Sequence, residues 1–314
     1  MLSYILKRIF SLLPVMFVVS VVIFLVVYLI PGGPATAMLG LEASPQQIAE
    51  LNAQLGFDRP FLVQYADWLT GVFRGDWGQS YFLDMPVLQA IGEYFIPTLS
   101  LAVLAQVVAL VFAIPMGMLA AYKRGTAVDL ATVSISLLGT AIPGFLLAVC
   151  ISSALGQGIF NTALAIGIGC VPGYARLLRA LVLGIRDQEY VEAARVTGAS
   201  NARIMFRQIV PNILSPVIVD STLRIGGCIL MISSLSFIGL GVQPPTAEWG
   251  SMVAEGREVI RSFWPMSTFP GLAIMLTVFG FNLFGDGLRD ALDPKLKNYG
   301  GPEMNDNILE IKDL

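Results

Sequence analysis

Histidine is absent from the 314 residues of this chain. Its absence removes the commonest metal ligand and the usual general base near neutral pH. Cysteine is scarce, and Cys150, Cys170 and Cys228 all lie inside apolar stretches. An odd number without metal-type spacing argues against a disulfide framework, leaving small buried hydrophobes as the reading. Charge is thin as well, at 13% of residues against about 25% in soluble domains. Nothing matches a GxxxxGK phosphate loop, so any nucleotide chemistry belongs to a partner.

What the chain has in quantity is apolar residues, 55% of the total, with a mean hydropathy of +0.74. The fold class that follows is an all-α polytopic membrane protein. About six runs reach the ~20 residues that a bilayer demands. They lie near 9–30, 98–121, 130–153, 159–182, 213–238 and 268–288, with Gly156 and Gly158 making the turn between the third and fourth.

Lysine and arginine set the orientation. With the N-terminus inside, one side collects Lys7, Arg8, Lys123, Arg124, Arg186, Arg195, Arg203, Arg207, Arg289, Lys295, Lys297 and Lys312, and Arg176 and Arg179 near them. The other side keeps Arg59, Arg74, Arg257 and Arg261. Both termini are therefore expected in the cytoplasm. The run 9–30 exceeds the 7–15 residues of a signal-peptide core, so it reads as a retained anchor.

Three regions follow: an anchor helix with an external segment over 1–97, a membrane core over 98–288, and a tail over 289–314. In the external segment, Ser44-Pro45-Gln46-Gln47 starts a helix, and Trp68, Phe73, Trp77, Tyr81 and Phe82 suit a membrane-interface belt on a small folded cap. A second external segment, 241–267, reads as a short element at the outer surface with Trp264 as an interface anchor.

Between two apolar runs sits a polar island, 186–212. Asp187 reads as an N-cap for a helix over 188–196 with Glu192 and Arg195 at helical spacing. Gly198 ends it, Ser200 caps a second helix, and Pro211 stops that one. Helices of roughly ten residues are marginal alone. Their apolar residues, Val191, Ala194, Ile204, Phe206 and Ile209, therefore call for a surface to pack on. A solvated loop would carry fewer such residues and less helix grammar.

Charges inside the membrane are functional candidates. Asp220 and Arg224, four residues apart, can pair on one helix face, either for packing or in a pathway or gate. Gly285-Asp286-Gly287 resembles the flanked aspartate of intramembrane proteases. That chemistry needs a second carboxylate close by, and Asp220 lacks a supporting motif. Pro115, Pro143 and Pro172 and the pairs Gly167/Gly169 and Gly226/Gly227 permit kinks and close packing. Of these, Pro172-Gly173 is the hinge candidate.

Glu192-Ala193-Ala194 with Gly198 and Ile209-Val210-Pro211 resembles the EAA motif of binding-protein-dependent ABC importer permeases. In the first half, Leu29-Ile30-Pro31-Gly32-Gly33-Pro34, Leu55-Gly56-Phe57-Asp58-Arg59-Pro60 and Gly75-Asp76-Trp77-Gly78-Gln79-Ser80 resemble the B-type permease of dipeptide, oligopeptide and nickel importers. From about Leu164, Pro172-Gly173-Tyr174-Ala175-Arg176, Leu235-Ser236-Phe237-Ile238-Gly239-Leu240-Gly241 and Asp290-Ala291-Leu292-Asp293-Pro294 resemble the partner C-type permease. The chain therefore reads as a hybrid with its junction near 150–163.

The resemblance implies a type I ABC importer transmembrane domain in the cell inner membrane, with both termini inside. It implies alternating access without catalysis in this chain, with ATP and magnesium held by the partner ATPase. Glu192, Ala193, Ala194, Arg195, Gly198, Ile209 and Pro211 become ATPase-coupling residues, and no residue is assigned to a metal or cofactor. The implied partners are two ATPase subunits, a second permease or another copy of this chain, an extracytoplasmic substrate-binding protein and membrane lipid, with no nucleic acid. Short peptides are the expected cargo. A nickel chelate or other small solute is the alternative, and a secondary transporter or channel is the alternative of another class.

Overall fold

A computed structural model describes residues 43–80, 84–243, 248–260 and 263–292, with scattered positions between 14 and 39. Ten of the 22 positions in the expected anchor span, 9–30, and nearly all of the tail, 289–314, lie outside the described residues.

Helix α1 (Pro45–Leu55) begins as its sequence directs. Ser44 Oγ accepts from the Gln47 N–H at 3.3 Å, and Gln47 Oε1 accepts from the Ser44 N–H at 2.9 Å. Each side chain thus satisfies a backbone donor that the first turn leaves open. Gly56, at φ 72°, ends the helix. After α2 (Phe61–Phe73), a two-residue strand pair, β1 (Gln79–Ser80) and β2 (Met85–Pro86), leads straight into α3 (Val87–Tyr122). The span expected over 98–121 is therefore only the later part of a 36-residue helix, about 54 Å long. Pro97 removes one hydrogen bond but does not start the helix, because Val87, Ala90 and Ile91 are already buried in the core.

The third expected span is broken. Helices α4 (Ala127–Ala141) and α5 (Gly144–Leu155) meet at 95°. The cause is local: Pro143 disfavours helical geometry in the residue before it, and Ile142 is extended at φ −86°, ψ 128°. Gly156 and Gly158, both at positive φ, make the expected turn into α6 (Ile159–Arg186). The basic-end segment holds α7 (Glu189–Val196) and α8 (Asn201–Ile204), then a π turn (Met205–Ile209) running into α9 (Val210–Phe237). A short α10 (Trp249–Glu258) and the last span, α11 (Pro265–Leu292), complete the described chain.

Close backbone approach holds α3 to α6. A Cβ on Gly117 would lie 2.7 Å from the Ala175 carbonyl oxygen, and one on Gly167 would lie 2.7 Å from that of Ala105. Small residues let helices approach where lipid supplies no hydrophobic drive. Gly226 packs likewise on Val278, whereas Gly227 faces open space. Pro172 does not break α6; it fills the space beside Gly139.

The apolar interior forms two clusters. One gathers Ile229, Ile232, Leu235, Trp249, Met252 and Phe269; the other gathers Tyr174, Leu178, Val182, Val191, Ile204 and Ile209. Helix α10 does not lie on the outer surface as its sequence suggested. Trp249, Met252 and Gly256 are buried, and a Cβ on Gly256 would reach 2.6 Å from the Ser267 nitrogen. Trp264 likewise departs from its expected role as an interface anchor. Only 8% exposed, it packs on Trp68 with ring centroids 4.9 Å apart, beside Phe269. Aromatic area of that size is better satisfied by mutual packing than by the interface.

Candidate functional site

The polar island becomes two short helices held under the ends of α3 and α6. Gln188, extended at φ −80°, ψ 148°, precedes α7 without a side-chain cap. Asp187 is not the N-cap its sequence position suggested. It closes α6, and its carboxylate lies 3.3 Å from Arg186 Nε and 3.8 Å from Arg124 Nη1. Gly198, at φ 84°, turns the chain after α7, and Ser200 Oγ accepts from the Arg203 N–H at 3.3 Å to cap α8. Both match the sequence reading.

Pro211 does not stop the second helix. Residues Asn201–Phe237 form one helical rod of 37 residues. The π turn accounts for this, with the Val210 N–H reaching back to the Met205 carbonyl. Proline lacks the donor that an unbroken α-helix would need there. Asn212 Nδ2 donates to the Gln208 carbonyl at 2.6 Å, giving that carbonyl a partner.

The surface that the island's apolar residues needed is supplied mainly from within. Val191, Ile204 and Ile209 are buried against Leu178 and Val182 of α6 and Ala121 of α3. Arg186 Nη1 adds a hydrogen bond of 2.9 Å to the Ala121 carbonyl. What remains outside is a distinct face, with Val196 89% and Phe206 67% exposed, alongside exposed Glu192, Ala193 and Arg195. Among the described residues Glu192 and Arg195 form no ion pair, despite their helical spacing.

Deeper in the bundle, Arg224 Nε donates to Asp220 Oδ2 at 2.5 Å, so these two residues do pair as their spacing suggested. The Arg224 guanidinium also stacks 4.5 Å from the centre of the Tyr174 ring. Tyr174 Oη accepts from Gln106 Nε2, and Gln106 lies beside Cys228. The polar group thus joins α3, α6 and α9. It is separate from the island: Asp220 lies nine residues past Pro211, about 13 Å along the helix.

A second ion pair escaped the sequence reading. Asp129 of α4 takes Arg179 Nε at 2.6 Å and Arg179 Nη2 at 3.0 Å, and it also accepts the Gly125 N–H at 2.9 Å. A carboxylate between a helix start and a basic helix end was the available signal. The fifty residues separating the partners hid the pairing. The described residues hold no cluster of three or more His, Cys, Asp or Glu residues suited to a metal.

Residues 113–298 match the family described as binding-protein-dependent transport system inner membrane component. Residues 1–102 match the N-terminal family of such membrane components. The di/tripeptide transport system permease protein DppC of Pseudomonas aeruginosa is 41% identical over 246 residues, covering 76% of this chain and 79% of that protein. The dipeptide permease protein DppC of Alkalihalophilus pseudofirmus is 44% identical over 60% of this chain and 62% of its own length. The glutathione permease protein GsiD of Escherichia coli is 49% identical over 50% of this chain and 52% of its own. An inward-facing structure of the MetNI methionine ABC transporter superposes with a TM-score of 0.54 at 18% identity, over 65% of this chain and 96% of that one. At that identity the likeness concerns the fold.

Proposed function

Since the chain belongs to the binding-protein-dependent transport system inner membrane component family, we propose that it forms the membrane pathway of an ATP-driven importer of short peptides. As a member of that family it is a multi-pass inner-membrane permease, not an enzyme. It works with a separate ATPase subunit and a second permease subunit. The observation that carries the peptide reading is the 41% identity, over 76% of the chain, to a permease named for di- and tripeptides.

The finer assembly is two ATPase subunits below, a substrate-binding protein outside, and a second permease that is either a different chain or a copy of this one. The 187–211 segment transmits the nucleotide state of the ATPase. Val191, Ile204 and Ile209 anchor the segment to the membrane helices, while Val196 and Glu192 stay free for an ATPase cleft. ATP then biases alternating access through contacts that differ between the two states. The Asp220–Arg224 pair, with Tyr174 behind it, lies on the pathway side of α9 as a gate element. Charges left partly exposed at membrane depth face a partner or water, not lipid.

Reconstitution of the purified complex in proteoliposomes tests this. Uptake of a labelled dipeptide that requires both ATP and the binding protein is expected. Uptake of a nickel chelate in place of any peptide would replace the cargo assignment, and uptake driven by an ion gradient without ATP would overturn the importer. Glu192→Lys and Gly198→Pro are expected to lower uptake at equal membrane content, the second because proline cannot adopt φ 84°. Undiminished uptake in both variants would remove the coupling role.

A further inference from the structure

Beneath the island lies a cavity of about 360 Å³ walled in part by Tyr122, Arg186, Arg195, Asn201 and Met205. Beside it runs an apolar groove of about 580 Å³ along α3, lined by Ile114, Met118, Leu119 and Phe206. The two share Tyr122, Asn201 and Met205, so they are chambers of one continuous surface depression. No acidic residue lines either chamber. The Arg186 guanidinium is steadied by the Ala121 carbonyl at 2.9 Å and by Asp187 at 3.3 Å, and Asp187 is shared with Arg124. Among the described residues Arg195 has no ion-pair partner. The chamber therefore carries a positive excess.

We propose that this depression is a binding site for an anionic phospholipid, with its phosphate between Arg186 and Arg195 and an acyl chain in the groove along α3. A free anion would fill only the charged chamber, and a hydrocarbon only the groove. The junction at Tyr122, Asn201 and Met205 suits a molecule that is both. From Tyr122 to Ile114 the groove follows about 12 Å of helix, enough to hold much of an acyl chain. Basic pockets at the cytoplasmic ends of membrane helices recognise lipid headgroups in this way, and the charge count assigns this end to the cytoplasm. A lipid seated here touches α3, α6, α7 and α8 together, so its headgroup braces the island against the membrane helices.

The test uses the full chain purified with its ATPase and second permease, and measures chain-bound lipid by native mass spectrometry. Samples are equilibrated with phosphatidylglycerol or phosphatidylcholine. Preferential retention of phosphatidylglycerol is expected. Arg186→Gln and Arg195→Gln should each weaken it about fivefold, the value of one basic residue at a membrane surface. Arg195→Lys, which keeps the charge, should retain most of the binding. Ala202 also lines the groove but not the charged chamber, so Ala202→Trp should lower retention by filling the groove without replacing either arginine. Equal retention of both lipids, or undiminished phosphatidylglycerol on the doubly substituted R186Q/R195Q chain, overturns the proposal. Displacement by millimolar inorganic phosphate would show a free-anion site instead. Cross-linking of a Met118→Cys variant to the second permease would give the groove to a protein.

Discussion

Two short helices flank the membrane bundle, and they are settled in opposite ways. Helix α10 has a reciprocal cap, in which Glu248 accepts from the Gly250 and Ser251 N–H groups at 2.7 and 2.8 Å while Ser251 Oγ accepts from the Glu248 N–H. Half of its ten residues are buried. Helix α7 has no side-chain cap, and of its eight residues only Val191 is buried. One helix is lodged in the fold and complete. The other is pinned at a point and leaves its apolar tip, Val196, in the open. Such exposed apolar area marks an interaction surface. The difference teaches which end of the molecule folding completes and which it leaves with an open apolar face.

The sharpest way to break that contrast is Trp249→Ala. The indole is 3% exposed, its Nε1 donates to the Ile91 carbonyl at 2.9 Å, and the Trp249 N–H meets Thr98 Oγ1 at 3.1 Å. Its loss should cost ~3–5 kcal/mol, read as a lowered unfolding temperature of the purified complex. Val191→Ala removes the one buried anchor of α7 and should cost about 2 kcal/mol. It should also raise the rate of amide exchange in the 188–198 segment while leaving α10 protected.

A pH titration of stability probes α10 from another side. Burial pushes the Glu248 carboxyl above its ordinary 4.5, against the lowering pull of the Gly250, Ser236 and Ser251 donors. The folded state then holds the proton more tightly than the unfolded chain does. This contribution is full below pH 4.5 and is lost as pH rises through the raised value. Glu248→Gln should flatten that slope; an unchanged slope would assign it elsewhere. The smallest effect on stability belongs to Val196→Ser and Phe206→Ser, within about 0.5 kcal/mol. If α7 is finished by assembly, Val196→Ser should lose co-purifying ATPase.

Much of this was legible because it was local. The caps at Ser44 and Ser200, the turns at Gly156, Gly158 and Gly198, and the i,i+4 pairing of Asp220 with Arg224 each depend on residues a few positions apart. What the sequence hid depends on distance or on exceptions. Asp129 and Arg179 meet only because α4 and α6 pack together. The burial of Trp264 depends on Trp68, far away in the chain. The sequence shows only that Pro143 permits a kink; the 95° break depends on Ile142 being driven extended. Pro211 misled because a wider helical turn can absorb a missing donor. The burial of Val191, Ile204 and Ile209 also changed the meaning of the island, whose apolar residues serve attachment more than recognition.

The π turn at Met205–Ile209 has one more consequence. Such a turn fits one residue more than an α-helix would use over the same rise, as a single inserted residue would. Removing one residue from 205–209 would let the rod relax to uniform α geometry, with its length almost unchanged. The wider turn would become an ordinary one, so everything before the deletion would keep nearly the same angular position around the rod axis relative to α9. Ile204, now 4% exposed, would stay with its cluster, whereas a deletion within regular α geometry would turn it by about 100°. The π turn thus lets the rod carry one more residue while the island and the membrane bundle keep their angular phase.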